Sequence, residues 1–403
     1  MTSSSTAEPN LQQALDRVMK MMAIEGPSTR EGQIVRFIEQ ALRKAHVPAS
    51  AIHIDKVHQR SEFGGEVGNL IVKLPGTQRA PRRMLLGHVD TVPICVGSKP
   101  RRKGDAVRSA DPNTGLGADN RSGAAVVLTT LIEILKQRLP HPPLTFFFPV
   151  QEEIGLIGAR LVSLAALGRP KMAFNFDANV PEKIYIGATG SYRLAIDVKG
   201  IPSHAGSHPR GGVNAITITG LAIAELERTG YLGAIRKRHA GRMRLATSNL
   251  GTIEGGSAVN VVAPHARINA GVRSHDPTFR KHVVDQFVKA FERAAKRMRN
   301  DNDQAGEVNI DARVSYEAFR LDETDAVVTH AAAAVRSLGL EPHYDISNGG
   351  LDANYLTNRG IPTVTLGAGQ SGAHTTGETL TVSHFEQGCR LALRLATGAN
   401  PDG

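Results

Sequence analysis

The stretch RRMLLGHVDTVP, residues 82–93, decides the architecture. Its first half reads as a buried strand ending in Gly87, with His88 and Asp90 following on either side of Val89. Extended chain repeats every two residues, so both side chains face the same way. Taken alone, a His-x-Asp pair after a strand reads as a turn in which the carboxylate bonds nearby backbone. A metal site needs more: further carboxylates, another histidine, and a fold that gathers them.

The chain has 403 residues, more than one compact core usually holds, so two domains are expected. Apolar residues make up 41%, and the many Gly and Pro describe a turn-rich globular protein. Tryptophan is absent and other aromatics are few, which leaves little material for stacking on nucleic-acid bases. The formal charge of +10 is spread over KPRRK, IRKRHAGRMR and RAAKRMR with no nucleic-acid module around them. It reads as a solvated basic surface, partly offset wherever carboxylates bind cations. Cys95 and Cys389 supply neither a disulfide framework nor a thiolate zinc site. MTSSSTAEPN lacks the basic and apolar blocks of a secretory signal, and no apolar run approaches the ~18 residues that would span a bilayer. These features predict a cytoplasmic protein with a short frayed start and neither nucleic acid nor membrane as partner.

Residues 10–24 and 30–45 carry apolar positions at helical spacing, and GNLIVKLPG and RRMLLGHV read as strands. A long helix over NRSGAAVVLTTLIEILKQRL, a buried strand PLTFFFPVQ, a helix GLIGARLVSLAAL and a strand KMAFNFD follow. This alternation predicts an α/β domain with a mostly parallel central sheet. After IGATGS the pattern becomes strand–helix–strand–strand–helix–strand, with helices at 213–228 and 277–299. That order predicts a smaller α+β sandwich with one helical layer, inserted into the first domain. Helix and strand then resume with AVVTHAAAAVRSLG, IPTVTLG and a helix over 381–397. The expected limits are 1–190 and 317–403 for the two parts of the α/β domain and 191–316 for the insertion.

In open α/β sheets, ligands sit beyond the carboxyl ends of the strands. His88 and Asp90 follow one strand, Glu152 and Glu153 another, and Asp177 ends a third. Asp119 stands in GLGADNRSG just before a helix, and His374 lies in the Gly-rich SGAHTTGETL. Bare carboxylates gathered at one edge would repel one another, and divalent cations remove that repulsion. Two imidazoles and several carboxylates suit zinc, with cobalt or manganese also accommodated. A carboxylate bridging two ions ~3.5–4 Å apart would make a two-metal hydrolytic site. The neighbours Glu152 and Glu153 then divide the labour, one binding metal and the other acting on water.

Together GHVDTVP, GLGADNRSG, VQEEIGLIGA, FNFD and GAHTTGE resemble, in order and spacing, the dinuclear-zinc metallopeptidase family of peptidase T, carboxypeptidase G, the aminoacylases and succinyl-diaminopimelate desuccinylase. The likeness covers nearly the whole chain, and FNFD with SNGGLDANYLTNRGIPTVTLGAG points to its peptidase T-like branch. It implies His88 and Asp177 on one zinc, Glu153 and His374 on the other, and Asp119 on both. Asp90 would orient the His88 ring. Glu152 would be the general base that takes a proton from a bridging water and delivers it to the leaving nitrogen. A cis peptide bond is implied between Asp119 and Asn120. One departure is Ala178, where relatives often carry Gly after the acid.

The resemblance extends to the insertion, which would be a zinc exopeptidase's lid and dimerisation domain, hinged near Gly190–Ser191 and Tyr316–Glu317. There His204 would reach the partner subunit's site and stabilise the oxyanion, with Asn260 and Arg273 holding substrate. Arginine suits this because its planar fork grips a carboxylate. Without that resemblance, His204 reads as a solvated loop histidine and Arg273 as a strand-edge ion-pair partner. The implied activity is a homodimeric di-zinc exopeptidase acting on short, tripeptide-like peptides. The alternative is an amidohydrolase or carboxypeptidase acting on N-acyl amino acids, with the same metal chemistry.

Overall fold

The computed structural model describes residues 7–398. Of the frayed start expected at residues 1–10, residues 1–6 lie outside the described residues. The chain forms two compact units: residues 1–187, 320–347 and 351–403, and residues 188–319 with 348–350. The changeovers fall slightly outside the joins expected near residues 190 and 316. The cause is that the second unit takes in the short connecting segments as well as its strands.

The first unit is built on a sheet ordered Ile52–Ile54, Leu70–Leu74, Leu144–Phe148, Arg83–Leu86, Met172–Ala178, Thr363–Gly367 and Lys183–Ala188. Its centre is parallel, with Arg83 opposite both Leu144 and Met172, and Thr363 opposite Ala173. Leu70–Leu74 pairs antiparallel beside it. The central runs RMLL and LTFFF are buried at every position, as strands covered on both faces must be. Helices cover the sheet. Leu11–Met22 buries Ala14, Leu15, Val18, Met21 and Met22, one stripe of its surface, and Asn10 caps it by accepting from the Gln13 N–H at 2.9 Å. Val382–Thr397 packs on Ala118–Gln137, and below the opposite face Ala159, Val162 and Leu356 close a core with Ile71, Met84 and Phe147.

Two local expectations need correction. The helix expected over GLIGARLVSLAAL spans only Ile157–Leu161. Val162 turns extended there, and Val162 and Leu167 reach the same core from a turn. A small antiparallel sheet of Gln370–Ser371, Thr379–Thr381, Ala106–Ser109 and Pro100–Lys103 was not expected from the sequence. Its first two strands flank the loop that carries His374.

The second unit is an antiparallel sheet ordered Gly233–His239, Arg242–Gly255, His265–Ser274, Gly190–Lys199 and Glu307–Tyr316. Buried and exposed positions alternate along His265–Ser274, the mark of a sheet with one covered face. Helices Ala215–Arg228 and Pro277–Arg297 bury Ile218, Phe279, Val283, Phe287 and Phe291 against Leu194, Ile196, Val198 and Ile268. The α+β sandwich with one helical layer is present, with one strand more than expected. Gly233–His239 is too rich in charge, as IRKRH, to show a strand period.

Candidate metal centre

The carboxyl ends of three neighbouring parallel strands deliver the centre. Arg83–Leu86 leads through Gly87 to His88 and Asp90, Leu144–Phe148 through Pro149–Gln151 to Glu152 and Glu153, and Met172–Ala178 contains Asp177. Asp119 comes from the helix packed on these strands. That helix begins in regular form only after Asn120, because Asp119 and Asn120 are non-helical. Asn120 caps it, accepting from the Gly123 N–H at 2.9 Å, and its amide donates to the Phe176 carbonyl at 2.8 Å. The cap thus ties Asp119 to the strand that carries Asp177. A side chain at Gly123 would stand 1.8 Å from the Phe176 carbonyl oxygen, so only glycine permits this approach. The Asp119–Asn120 peptide bond is cis, as the resemblance implied.

Two ligand sets result, and they share one residue. His88, Asp119 and Asp177 offer atoms within 4.8 Å of one another, and so do Asp119, Glu153 and His374. His88 Nε2 lies 3.2 Å from Asp119 Oδ1 and 3.7 Å from Asp177 Oδ1. His374 Nε2 lies 3.5 Å from Asp119 Oδ2 and 2.9 Å from Glu153 Oε2. The two oxygens of Asp119 therefore face different histidines. A third grouping, His88 with Glu152 and Glu153, also meets the distance test. Its Glu152 Oε2 stands further off, 3.9 Å from His88 Nε2.

Asp90 sits behind the ligands. It accepts from the backbone N–H groups of Glu152 and Glu153 at 3.0 and 3.1 Å and from the Ser28 hydroxyl at 2.7 Å. Its Oδ1 also makes a long 3.4 Å contact with His88 Nδ1. One buried carboxylate thereby pins the segment that carries both glutamates, with the His88 ring alongside it.

The electrostatics are those of crowded, buried carboxylates. Burial pushes Glu152 well above the usual carboxylate range, and Asp177, Asp352 and Glu153 add to this against the pull of His88. Burial and Asp119 likewise raise Asp177, and burial raises Glu153. Hydrogen bonds to Asp119 and Glu153 push His374 up to about 10. Burial would lower His88, but Glu152, Asp119, Asp90 and Asp177 together hold it raised. Glu153 Oε1 is buried with no hydrogen-bond partner among the described residues. Divalent cations would satisfy that oxygen and relieve the repulsion, so the donor set fits them.

Three residues of this neighbourhood escaped the sequence reading. The Gln370 amide donates to Asp177 Oδ1 at 2.9 Å and to Asp119 Oδ1 at 3.2 Å, while its oxygen accepts from Ser122. Asp352 is buried, both its oxygens lack partners among the described residues, and burial pushes it up to about 7. Glu378, the last polar residue of GAHTTGE, is buried against the loop that carries Asp119. Of the three, Asp352 stood in SNGGLDANYLTNRGIPTVTLGAG and Glu378 in GAHTTGE, and neither was singled out there.

The remaining expected residues lie in the second unit. His204 is exposed, and its Nδ1 accepts from the Gly206 and Ser207 N–H groups at 3.1 Å. Its loop joins that of Asn260 through the Ala205 N–H to Asn260 carbonyl bond at 2.9 Å. Arg273 is exposed on His265–Ser274, opposite Ser191 and Thr247.

Residues 84–398 match Peptidase family M20/M25/M40. In structure the chain is similar to a tripeptidase from Staphylococcus aureus, at 28% identity and a TM-score of 0.84, over 96% of this chain and 98% of that one. It is also similar to aminopeptidase PepT from Bacillus cereus, at 28% identity and a TM-score of 0.79 over the same shares. In sequence it is 26% identical to carboxypeptidase G2 from Pseudomonas sp., over 83% of this chain and 78% of that protein. A match of this length, on a fold whose strand ends converge on two linked ligand sets, leaves one conclusion: the chain belongs to Peptidase family M20/M25/M40 and is a metallopeptidase.

Proposed function

We propose that this metallopeptidase is a two-zinc exopeptidase that removes the N-terminal residue from short, tripeptide-like substrates. The observation that carries the reading is Asp119, whose two oxygens face two different ligand sets. His88 and Asp177 would hold one ion, Glu153 and His374 the other, and Asp119 both. Bound zinc supplies polarisation of the scissile carbonyl and makes water easier to deprotonate. Glu152 stands beside these ligands without belonging to either linked set, and burial raises its affinity for a proton. Its carboxylate takes the proton of the attacking water and passes it to the departing nitrogen. Asp90 keeps the His88 ring oriented while this happens.

The choice of an N-terminal exopeptidase is supported by likeness to the tripeptidase and to aminopeptidase PepT. Likeness to carboxypeptidase G2 favours a second reading, cleavage of a C-terminal or N-acyl-linked amino acid by the same centre. On either reading the second unit is a lid and dimerisation domain, with Arg273 and Asn260 toward substrate and His204 acting on the partner subunit's site. A substrate panel separates the readings. With added Zn²⁺ or Co²⁺, tripeptides with a free amino end should be cleaved at the first bond and N-acetyl amino acids left intact. Cleavage of the N-acyl substrates with sparing of the tripeptides would establish the second reading instead.

A further inference from the structure

The residue left without a role in GAHTTGE is Glu378. It is 1% exposed, and its carboxylate is filled by backbone donors from one loop. Oε2 accepts from the N–H groups of Leu116 and Gly117 at 2.8 and 2.7 Å, and Oε1 accepts from the N–H of Asp119 at 2.8 Å. The Cys95 thiol donates to Oε2 at 3.5 Å. The loop so gripped ends in the shared acid Asp119. Glu378 itself closes the turn that presents His374: its N–H bonds the Thr375 carbonyl at 3.3 Å, and the Thr375 hydroxyl bonds Gly372 at 2.7 Å. His374 stands in that turn at φ 65°, a left-handed conformation that a non-glycine residue keeps only when its surroundings impose it. The two segments touch closely. A side chain at Gly115 would stand 3.2 Å from Glu378 Oε2 and 3.1 Å from the Thr375 carbonyl oxygen.

We infer that Glu378 is a positioning residue for both metal sites at once, fastening the Asp119 loop to the His374 turn through three charge-assisted hydrogen bonds. An anionic acceptor is suited to this because charged hydrogen bonds are shorter and stronger than neutral ones, and three converge on a single group. Partners behind metal ligands typically set affinity within a factor of 10–100. Glu378 differs from Asp90 in what it holds. Asp90 supports His88 and the glutamate segment, whereas Glu378 supports the one ligand common to both sets and a ligand of the second set. Its removal must therefore weaken both ions together.

The inference rests on the two-ion reading, and one titration separates the two. Metal-free wild-type and Glu378→Gln proteins are titrated with Zn²⁺ by calorimetry, and Co²⁺ absorption spectra report the geometry at each site. The amide keeps the volume of the acid but turns an N–H₂ group toward backbone donors. Both affinities are expected to fall by about 10–100-fold, the Co²⁺ bands to shift, and kcat to fall more than KM rises. Glu378→Asp, shorter by one methylene, should lie between. A role in folding alone would lower the melting temperature of the metal-free protein and leave affinities and Co²⁺ bands at wild-type values, which overturns the inference. Loss confined to one ion also overturns it, since Glu378 would then support only the His374 turn. Should the Gln variant fail to fold, the Asp variant is judged by the same criteria. Fewer than two ions in wild type overturns the two-ion reading and this inference with it.

Discussion

The two units treat their polar residues in opposite ways. In the first, six acids or histidines gather around the strand ends, and Glu152 and His88 are both buried. The backbone that carries them is held from behind, as Asp90 holds the Glu152 segment. In the second unit His204, Asn260 and Arg273 are exposed, and the bonds to the His204 ring come from the Gly206 and Ser207 N–H groups of its own loop. A buried, mutually repelling cluster carries its own chemical meaning, because bound cations would relieve its repulsion. Exposed residues carry none until something meets them. The first unit thus specifies a reaction centre, and the second offers groups whose roles depend on substrate or on a second subunit.

The largest expected effect sharpens this contrast inside the buried cluster. Glu152→Gln should retain two ions and lose kcat by roughly 10²–10⁴-fold, because the base is gone while both linked ligand sets remain. Metal analysis alongside kinetics checks this, and near-normal turnover would remove Glu152 from the role of base.

A second prediction tests whether the exposed unit matters to catalysis at all. His204→Ala should fold and bind both ions normally, yet turn over roughly 10²–10³-fold more slowly if an oxyanion donor is lost. Mixing it with Glu152→Gln should restore activity, since one site of the mixed dimer combines an intact Glu152 with the partner's intact imidazole. Native mass spectrometry must first show subunit exchange. Exchanged heterodimers no more active than their parents would leave His204 acting in its own chain or not at all.

The smallest effect concerns a buried histidine away from the centre. His330 packs its ring against Phe174, at 5.6 Å between centroids, and burial, with Arg83 nearby, lowers it to about 4. The unfolded chain takes up this proton near pH 6.5, so below that pH it binds more protons than the folded chain and stability falls. The loss runs from about 6.5 down to about 4 and amounts to about 3 kcal/mol at the acid end. His330→Leu should flatten that acid arm in denaturant titrations at pH 7 and pH 4.5. An unchanged difference between the two pH values would mean that His330 keeps its proton in the fold.

The strands that carry the ligands were legible because buried parallel strands read as unbroken apolar runs, and each ligand follows such a run directly. Asp119 was legible from its place before a long helix. Gln370 and Asp352 were not, since Gln370 opens a strand of only two residues and Asp352 a short helix, and neither element is long enough to show a period. The strand Gly233–His239 was hidden by its charges, and the over-long helix at 155–167 arose because apolar spacing does not distinguish a helix from a turn that drops Val162 and Leu167 into the same core.

The central claim is that two ions share Asp119, and a Zn²⁺ titration of metal-free protein tests it most directly. Wild type should bind two ions. Glu153→Ala should weaken mainly the one it holds with His374, whereas Asp119→Ala should release both. If Asp119→Ala and Glu153→Ala each lose a single ion, equally and independently, Asp119 does not bridge and the linked-site account is wrong.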